Sequence, residues 1–201
     1  MKRICICGGG SLGHVIAGYL SAKKDLEVNI LTQRPQLWKH ELQISTPEGD
    51  TLCGELNTIS DKPGEALHEV DIVLICLPGY AIKSELLKIK PYVNKRTHVG
   101  TVFSSTGFFF EALEILDNDV PLWGFQRVPF IARTNVYGES AHLLGYKTSH
   151  NIAVEHSEDK ERFRSQIEKL FDAPVHLLNN YYEASFTNSN PILHPSRLYT
   201  L

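Results

Sequence analysis

Two hydrophobic rhythms alternate along the chain. The runs Ile4-Cys5-Ile6-Cys7 and Asp71-Ile72-Val73-Leu74-Ile75-Cys76-Leu77 are continuously apolar apart from their ends, which predicts strands covered on both faces by helices. Val28 to Thr32, His98 to Phe103 and Leu122 to Gln126 predict further strands. Between them the spacing turns helical. Val15, Ile16, Tyr19 and Leu20 fall at i, i+1, i+4 and i+5 and give one helix an apolar face. Ile82, Leu86, Leu87 and Ile89 mark a second helix beyond Pro78-Gly79, and a third is expected from about Phe108 to Leu116. Leu37 to Glu41 reads as a short helix. Gln43 to Ile59, which contains Thr46-Pro47-Glu48-Gly49-Asp50, reads as a hairpin with a polar turn.

Past residue 140 the character changes. His142 to Lys147 and Asn151 to Val154 read as two strands around a turn. Glu158 to Phe171 is amphipathic, with Phe163, Ile167, Leu170 and Phe171 on one side; a short Val175-His176-Leu177-Leu178 segment and a polar, helix-compatible stretch from Tyr181 to Asn188 follow. There is no internal repeat and no low-complexity linker. Strands alternating with helices from the first residue imply an α/β fold, a doubly wound Rossmann-type sheet that is mainly parallel with helices on both faces.

The loop after the first strand carries the chemistry. Gly8-Gly9-Gly10-Ser11-Leu12-Gly13 is G-x-G-x-x-G between a strand and a helix, the context in which this motif signifies dinucleotide binding. Gly8 permits the tight turn, Gly10 lets the backbone approach a pyrophosphate, and Gly13 lets helix pack on strand. The N–H groups from Ser11, Leu12 and Gly13 onward and the positive end of the helix dipole face the phosphate oxygens. His14, directly behind the loop, is expected to be packed or exposed rather than on phosphate. In a doubly wound sheet ligands bind at the carboxyl ends of the strands. Three more loops share that address: Thr32 to Arg34, Leu77-Pro78 to Tyr80, and Ser104 to Gly107 with Ser105 and Thr106. NAD selection normally uses a carboxylate about twenty residues past the motif. Here Thr32-Gln33-Arg34 stands instead, and a hydroxyl beside a guanidinium suits a 2′-phosphate. The expected cofactor is therefore NADP, with NAD as the alternative.

Composition narrows the partners. A net charge of −3 gives no electrostatic case for nucleic acid or for an anionic membrane surface, and no apolar run reaches the length of a membrane span. Cys5, Cys7 and Cys76 sit in apolar strands and read as small buried hydrophobes; the lone C-x-C lacks the further ligands that zinc needs, so no metal is expected. Reduced thiols and a first strand interrupted at Gly8, with no cleavage site after it, point to a cytoplasmic setting.

Two later motifs go beyond a nucleotide fold. Gly124-Phe125-Gln126-Arg127-Val128-Pro129-Phe130-Ile131-Ala132-Arg133, followed by Tyr137-Gly138 and Leu144-Gly145-Tyr146-Lys147, is the first; Asn190-Pro191-Ile192-Leu193-His194-Pro195 is the second. With the glycine loop they resemble the NAD(P)-dependent opine dehydrogenase family over nearly the whole chain. The resemblance implies reductive condensation of a 2-oxo acid with the amino group of an amino acid, these being the small-molecule partners, and an oligomer is compatible with it. It carries the catalytic acid/base onto His194, a role imidazole suits by titrating near neutral pH. Asn190, one helical turn earlier, would orient substrate or nicotinamide. Gln126 and Arg133 are substrate candidates, Arg133 because a guanidinium grips carboxylates in a fork, although it can instead pair with Glu139.

In that family a helical second domain follows N-x-x-x-H-P. The expectation is that residues 1–180 form the dinucleotide-binding domain, that residues 181–201 form a linker and the beginning of a helical substrate domain, and that the 201-residue chain binds nucleotide but turns over poorly alone. Two other readings stay open. One is a reductase of a small 2-oxo or 2-hydroxy compound, of the ketopantoate reductase or glycerol-3-phosphate dehydrogenase kind. The other is a non-catalytic NAD(P) sensor module.

Overall fold

A computed structural model of the chain describes residues 1–199, with the side chains of residues 190, 191, 192 and 194 outside the description. Its main layer is an eight-stranded sheet. In chain order the strands are β1 (Lys2–Cys7), β2 (Leu26–Leu31), β5 (Thr58–Ser60), β6 (Ile72–Ile75), β7 (His98–Thr101), β8 (Leu122–Phe125), β11 (His150–Glu155) and β12 (Val175–Leu177). The spatial order is β12-β11-β8-β7-β6-β1-β2-β5, and every pairing is parallel except that of β11 with β8.

The alternation of side chains along these strands divides the interior in two. Ile4, Ile6, Ile72 and Leu74 point into one cluster, which takes in Val15, Ile16 and Leu20 of α1 (Ser11–Ser21) and Phe163, Ile167, Leu170 and Phe171 of α5 (Lys160–Phe171). Cys5, Cys7, Val73 and Ile75 point into the other, against Ile82, Leu86 and Ile89 of α3 (Gly79–Ile89) and Phe108, Phe109 and Ala112 of α4 (Phe108–Ile115). The short helices α2 (Pro63–Ala66) and α6 (Tyr181–Phe186) add Ala66 and Ala184 to that second cluster. The continuous apolar character of the strands is thus the signature of a sheet with helices on both faces.

A second, four-stranded sheet packs against α1. Its order is β4-β3-β10-β9, made of β3 (Glu41–Ser45), β4 (Thr51–Glu55), β9 (Phe130–Val136) and β10 (Ser140–Tyr146). The hairpin read from Gln43 onward is its β3–β4 half, joined to β10 by a parallel pairing of Gln43 with Ser140. Two expectations are corrected here. The strands at 142–147 and 151–154 do not pair with each other: β10 pairs with β9 and β3, while β11 enters the main sheet between β8 and β12. Leu37 to Glu41 is not a helix. Pro35 sets a single 3-10 turn, Pro35–Leu37, and Trp38 leaves it extended (φ −100°, ψ 138°) before β3 begins at Glu41. The last helix, α7, runs from Asn190 to Tyr199.

Candidate active site

The glycine loop sits where β1 hands over to α1, at the carboxyl edge of the sheet. Gly8 holds φ +120°, and a Cβ there would lie 2.7 Å from the Cys76 carbonyl oxygen, so the tight turn demands glycine. Gly13 faces back on that turn. A Cβ on it would drive into the Gly8 carbonyl, which is the close helix-to-strand approach expected of the third glycine. Gly10 differs, since a Cβ there would meet nothing within 4 Å. Gly10 is also the N-cap of α1, without a capping side chain and without an acidic residue in the first turn. The first N–H groups of an 11-residue helix therefore open onto empty space beside Gly10, a cradle with the size and polarity for a phosphate.

Beyond the loop lies a cleft of about 380 Å³. Gly8, Gly9 and Gly10 form one wall, and Thr32, Gln33 and Arg34 follow from the end of β2. Leu77 and Pro78 close the side toward β6, and one face of α3 supplies Tyr80, Ser84, Glu85 and Lys88. Tyr137 reaches in from the turn between β9 and β10. The Arg34 guanidinium lies over the Tyr137 ring, 4.8 Å from its centroid. The Tyr137 hydroxyl is 3.5 Å from the Thr32 hydroxyl. Burial pushes the Glu85 carboxyl above its ordinary value.

Of the residues read from sequence as cofactor-binding, Gly8, Gly10, Thr32, Arg34, Leu77 and Pro78 meet in this cleft. Ser11, Leu12 and Gly13 do not line it. The Ser11 hydroxyl is turned away, accepting from the Thr134 backbone N–H at 3.1 Å, and Leu12 packs on the core, so these positions face the cradle through their backbone. Ser105 and Thr106 lie in the neighbouring 3-10 turn and are locally engaged: Ser105 donates to the Ser185 carbonyl (2.9 Å) and Thr106 to that of Phe103 (2.8 Å). His14, which directly follows the loop, is fully buried.

Gln126 lies at the end of β8, on the same edge of the sheet. It borders a polar recess of about 330 Å³ lined also by Arg127, Lys147, Ser149 and Asn151. Its amide donates to the Thr187 hydroxyl (2.5 Å) and accepts from the Asn151 amide (3.0 Å). Arg133 borders neither space. It is exposed on β9 and donates to the Ala132 carbonyl, while Glu139, its expected partner, pairs with Lys39 at 2.7 Å. His194 and Asn190 fall on α7, and their side chains lie outside the described residues.

Sequence reasoning missed Tyr137 and the α3 wall. Tyr80, Ser84 and Lys88 recur every fourth residue, one helix face, yet that pattern alone reads as a solvated surface.

A model of the family described as ketopantoate reductase PanE/ApbA matches residues 4–105. An uncharacterized protein, y4xO, of Sinorhizobium fredii (strain NBRC 101917 / NGR234) is 29% identical across 99% of this chain and 56% of its own length. An opine dehydrogenase of Haliotis discus hannai is 24% identical, covering 98% of this chain and 54% of that protein. Among solved structures, octopine dehydrogenase with NADH and L-arginine superposes with a TM-score of 0.88 at 22% identity, over 99% of this chain and 54% of that one. That likeness establishes the fold. The chain spans about half the length of the curated relatives it matches.

Proposed function

Because the chain belongs to the ketopantoate reductase PanE/ApbA family, we propose that it is the cofactor-holding part of an NAD(P)-dependent oxidoreductase, and that the reaction is of opine dehydrogenase type. The observation that carries the cofactor reading is the open cradle over Gly10 at an uncapped helix N-terminus, continuous with a cleft that ends at Arg34. Residues 1–180 form the dinucleotide-binding unit in this reading, and residues 181–201 lead toward a substrate-binding region. The opine assignment is supported by relatives of that description aligned over nearly the whole chain, beyond the span of the family model.

A bound nicotinamide supplies hydride to a C=N bond, formed when an amino acid nitrogen adds to the carbonyl carbon of a 2-oxo acid and water leaves. The chain's residues hold and orient. The Gly8–Gly13 loop and the first N–H groups of α1 take the pyrophosphate, and Arg34, held flat by Tyr137, takes the 2′-phosphate of NADPH in a charge-assisted fork. Gln126 and the cations Arg127 and Lys147 offer a place for a substrate carboxylate. His194 holds the proton that must accompany the hydride, and Asn190 orients the substrate.

The full-length gene product is assayed for NADPH and NADH oxidation with pyruvate, with and without a panel of amino acids. Oxidation that requires the amino acid is the expected result. The family model favours a second reading, simple reduction of a 2-oxo acid; oxidation indifferent to the amine establishes that reading and refutes the first.

A further inference from the structure

His14 is buried among aromatic rings, and both of its ring nitrogens are committed. Nδ1 lies 3.0 Å from the Gly10 carbonyl oxygen, which can only accept, so Nδ1 carries the proton. Nε2 lies 2.7 Å from the Gly138 backbone nitrogen, whose N–H can only donate, so Nε2 keeps its lone pair. One tautomer of the neutral imidazole satisfies both. The ring is stacked on Trp38 (centroids 4.2 Å apart) and meets the edge of Tyr137 (5.0 Å).

The two bonds join parts far apart in sequence. Gly10 is the cradle glycine; Gly138 follows Tyr137 in the β9–β10 turn. That turn is specified locally as well. Gly138 holds φ +75°, its carbonyl accepts from Lys39 N–H at 2.9 Å, and a Cβ on it would strike the Leu37 carbonyl. Tyr137 is thereby set down against the loop: its hydroxyl occupies the space that a Cβ on Gly9 would need, and its ring carries Arg34.

We propose that His14 is a positioning residue for the dinucleotide: through Gly138 it fixes Tyr137, and through Tyr137 it fixes the cleft wall that receives the cofactor. This rests on the reading of the cleft as a dinucleotide site. His14 itself touches no cofactor. The inference gives the second sheet a task, since β9 and β10 deliver to the glycine loop a side chain that the Rossmann layer does not possess.

The test separates the two nitrogens. In His14→Gln the side-chain oxygen sits where Nε2 was and can accept from Gly138; in His14→Asn the amide sits where Nδ1 was and leaves the Gly138 N–H unpaired. Binding of NADPH and NADH is measured by nicotinamide fluorescence for both variants, for Tyr137→Leu, and for the double variant that combines His14→Asn with Tyr137→Leu, with melting temperatures alongside. His14→Asn is expected to weaken binding about tenfold, as loss of a buried hydrogen-bond partner does, and His14→Gln to restore most of it. In the Tyr137→Leu background the His14→Asn loss should shrink to about twofold or less, because coupled residues are not additive. Additive losses, or equal losses in both His14 variants, overturn the inference. If the parent protein binds neither NADPH nor NADH, the dinucleotide reading itself falls and takes the inference with it.

Discussion

Gly10 and Gly13 are three residues apart in one motif, and the structure assigns them opposite tasks. This allows the fold to be separated from the site with one methyl group each. At Gly10 the added Cβ meets no atom within 4 Å, and the backbone (φ −81°, ψ −178°) is extended and open to any residue. Alanine is a poorer N-cap than glycine, while a shorter list of unfolded conformations offsets the difference, so the net effect on stability is within about 1 kcal/mol. For a chain of this size that is a shift of about 2–4 °C at most. At Gly13 the Cβ falls 3.2 Å from the Gly8 carbonyl carbon and closer still to its oxygen, both backbone atoms that cannot rotate away. The helix must retreat from the strand, an overpacking cost of about 1–3 kcal/mol that outweighs the ~1 kcal/mol gained in helix propensity.

Gly10→Ala is therefore expected to melt near the parent while binding NADPH and NADH at least tenfold more weakly, because the methyl takes the space of a phosphate oxygen and forces the pyrophosphate off the helix N–H groups. Gly13→Ala should lose both melting temperature and affinity. Thermal melts followed by circular dichroism, together with nicotinamide fluorescence titrations, read the two quantities independently. A Gly10→Ala protein that binds cofactor within twofold of the parent refutes the placement of phosphate over Gly10. If Gly13→Ala keeps full stability, the helix-to-strand contact does not constrain the fold.

Arg34→Ala should weaken NADPH binding about tenfold while sparing NADH, the loss of one charge-assisted fork, and equal losses for both cofactors would remove the 2′-phosphate role. Burial holds His98 and His150 at about 4, below the ordinary 6.5, so the unfolded chain takes up these protons first and stability falls as pH drops from about 6.5 toward 4. By pH 5 the loss is about 1–2 kcal/mol for each group, and urea melts at pH 7 and 5 should show it shrinking in His150→Phe, whereas an unchanged pH slope argues against a buried neutral His150. Phe163, 2% exposed, stacks on His98 (centroids 4.1 Å) and packs edge-on to Trp123, so Phe163→Ala should cost about 3–5 kcal/mol in denaturant unfolding. A loss under about 1 kcal/mol would mean that α5 contributes little to that face of the sheet.

What can be read from sequence and what cannot divides along contact range. The apolar strands, the helix faces and the glycine loop rest on neighbours within a few residues, and they appear in the structure within one or two residues of expectation. Gly13 is a good case: its spacing from Gly8 alone puts it one helical turn above the loop, where it is found packed on the Gly8 carbonyl. The second sheet is the opposite case. β3 pairs with β10 across nearly a hundred residues, and nothing local distinguishes β10 from half of a hairpin with β11. Tyr137 belongs to a motif legible in the sequence, but only that long-range pairing brings it over Gly9. His14 shows the limit most sharply. The sequence favours a packed or exposed place for it over a contact with phosphate, and it is packed; yet its significance lies in Gly138, 124 positions away, whose N–H it accepts. A motif names the atoms that meet a ligand. The groups that hold those atoms still arrive from elsewhere in the chain, and in this fold they arrive through an added sheet that the glycine loop gives no reason to expect.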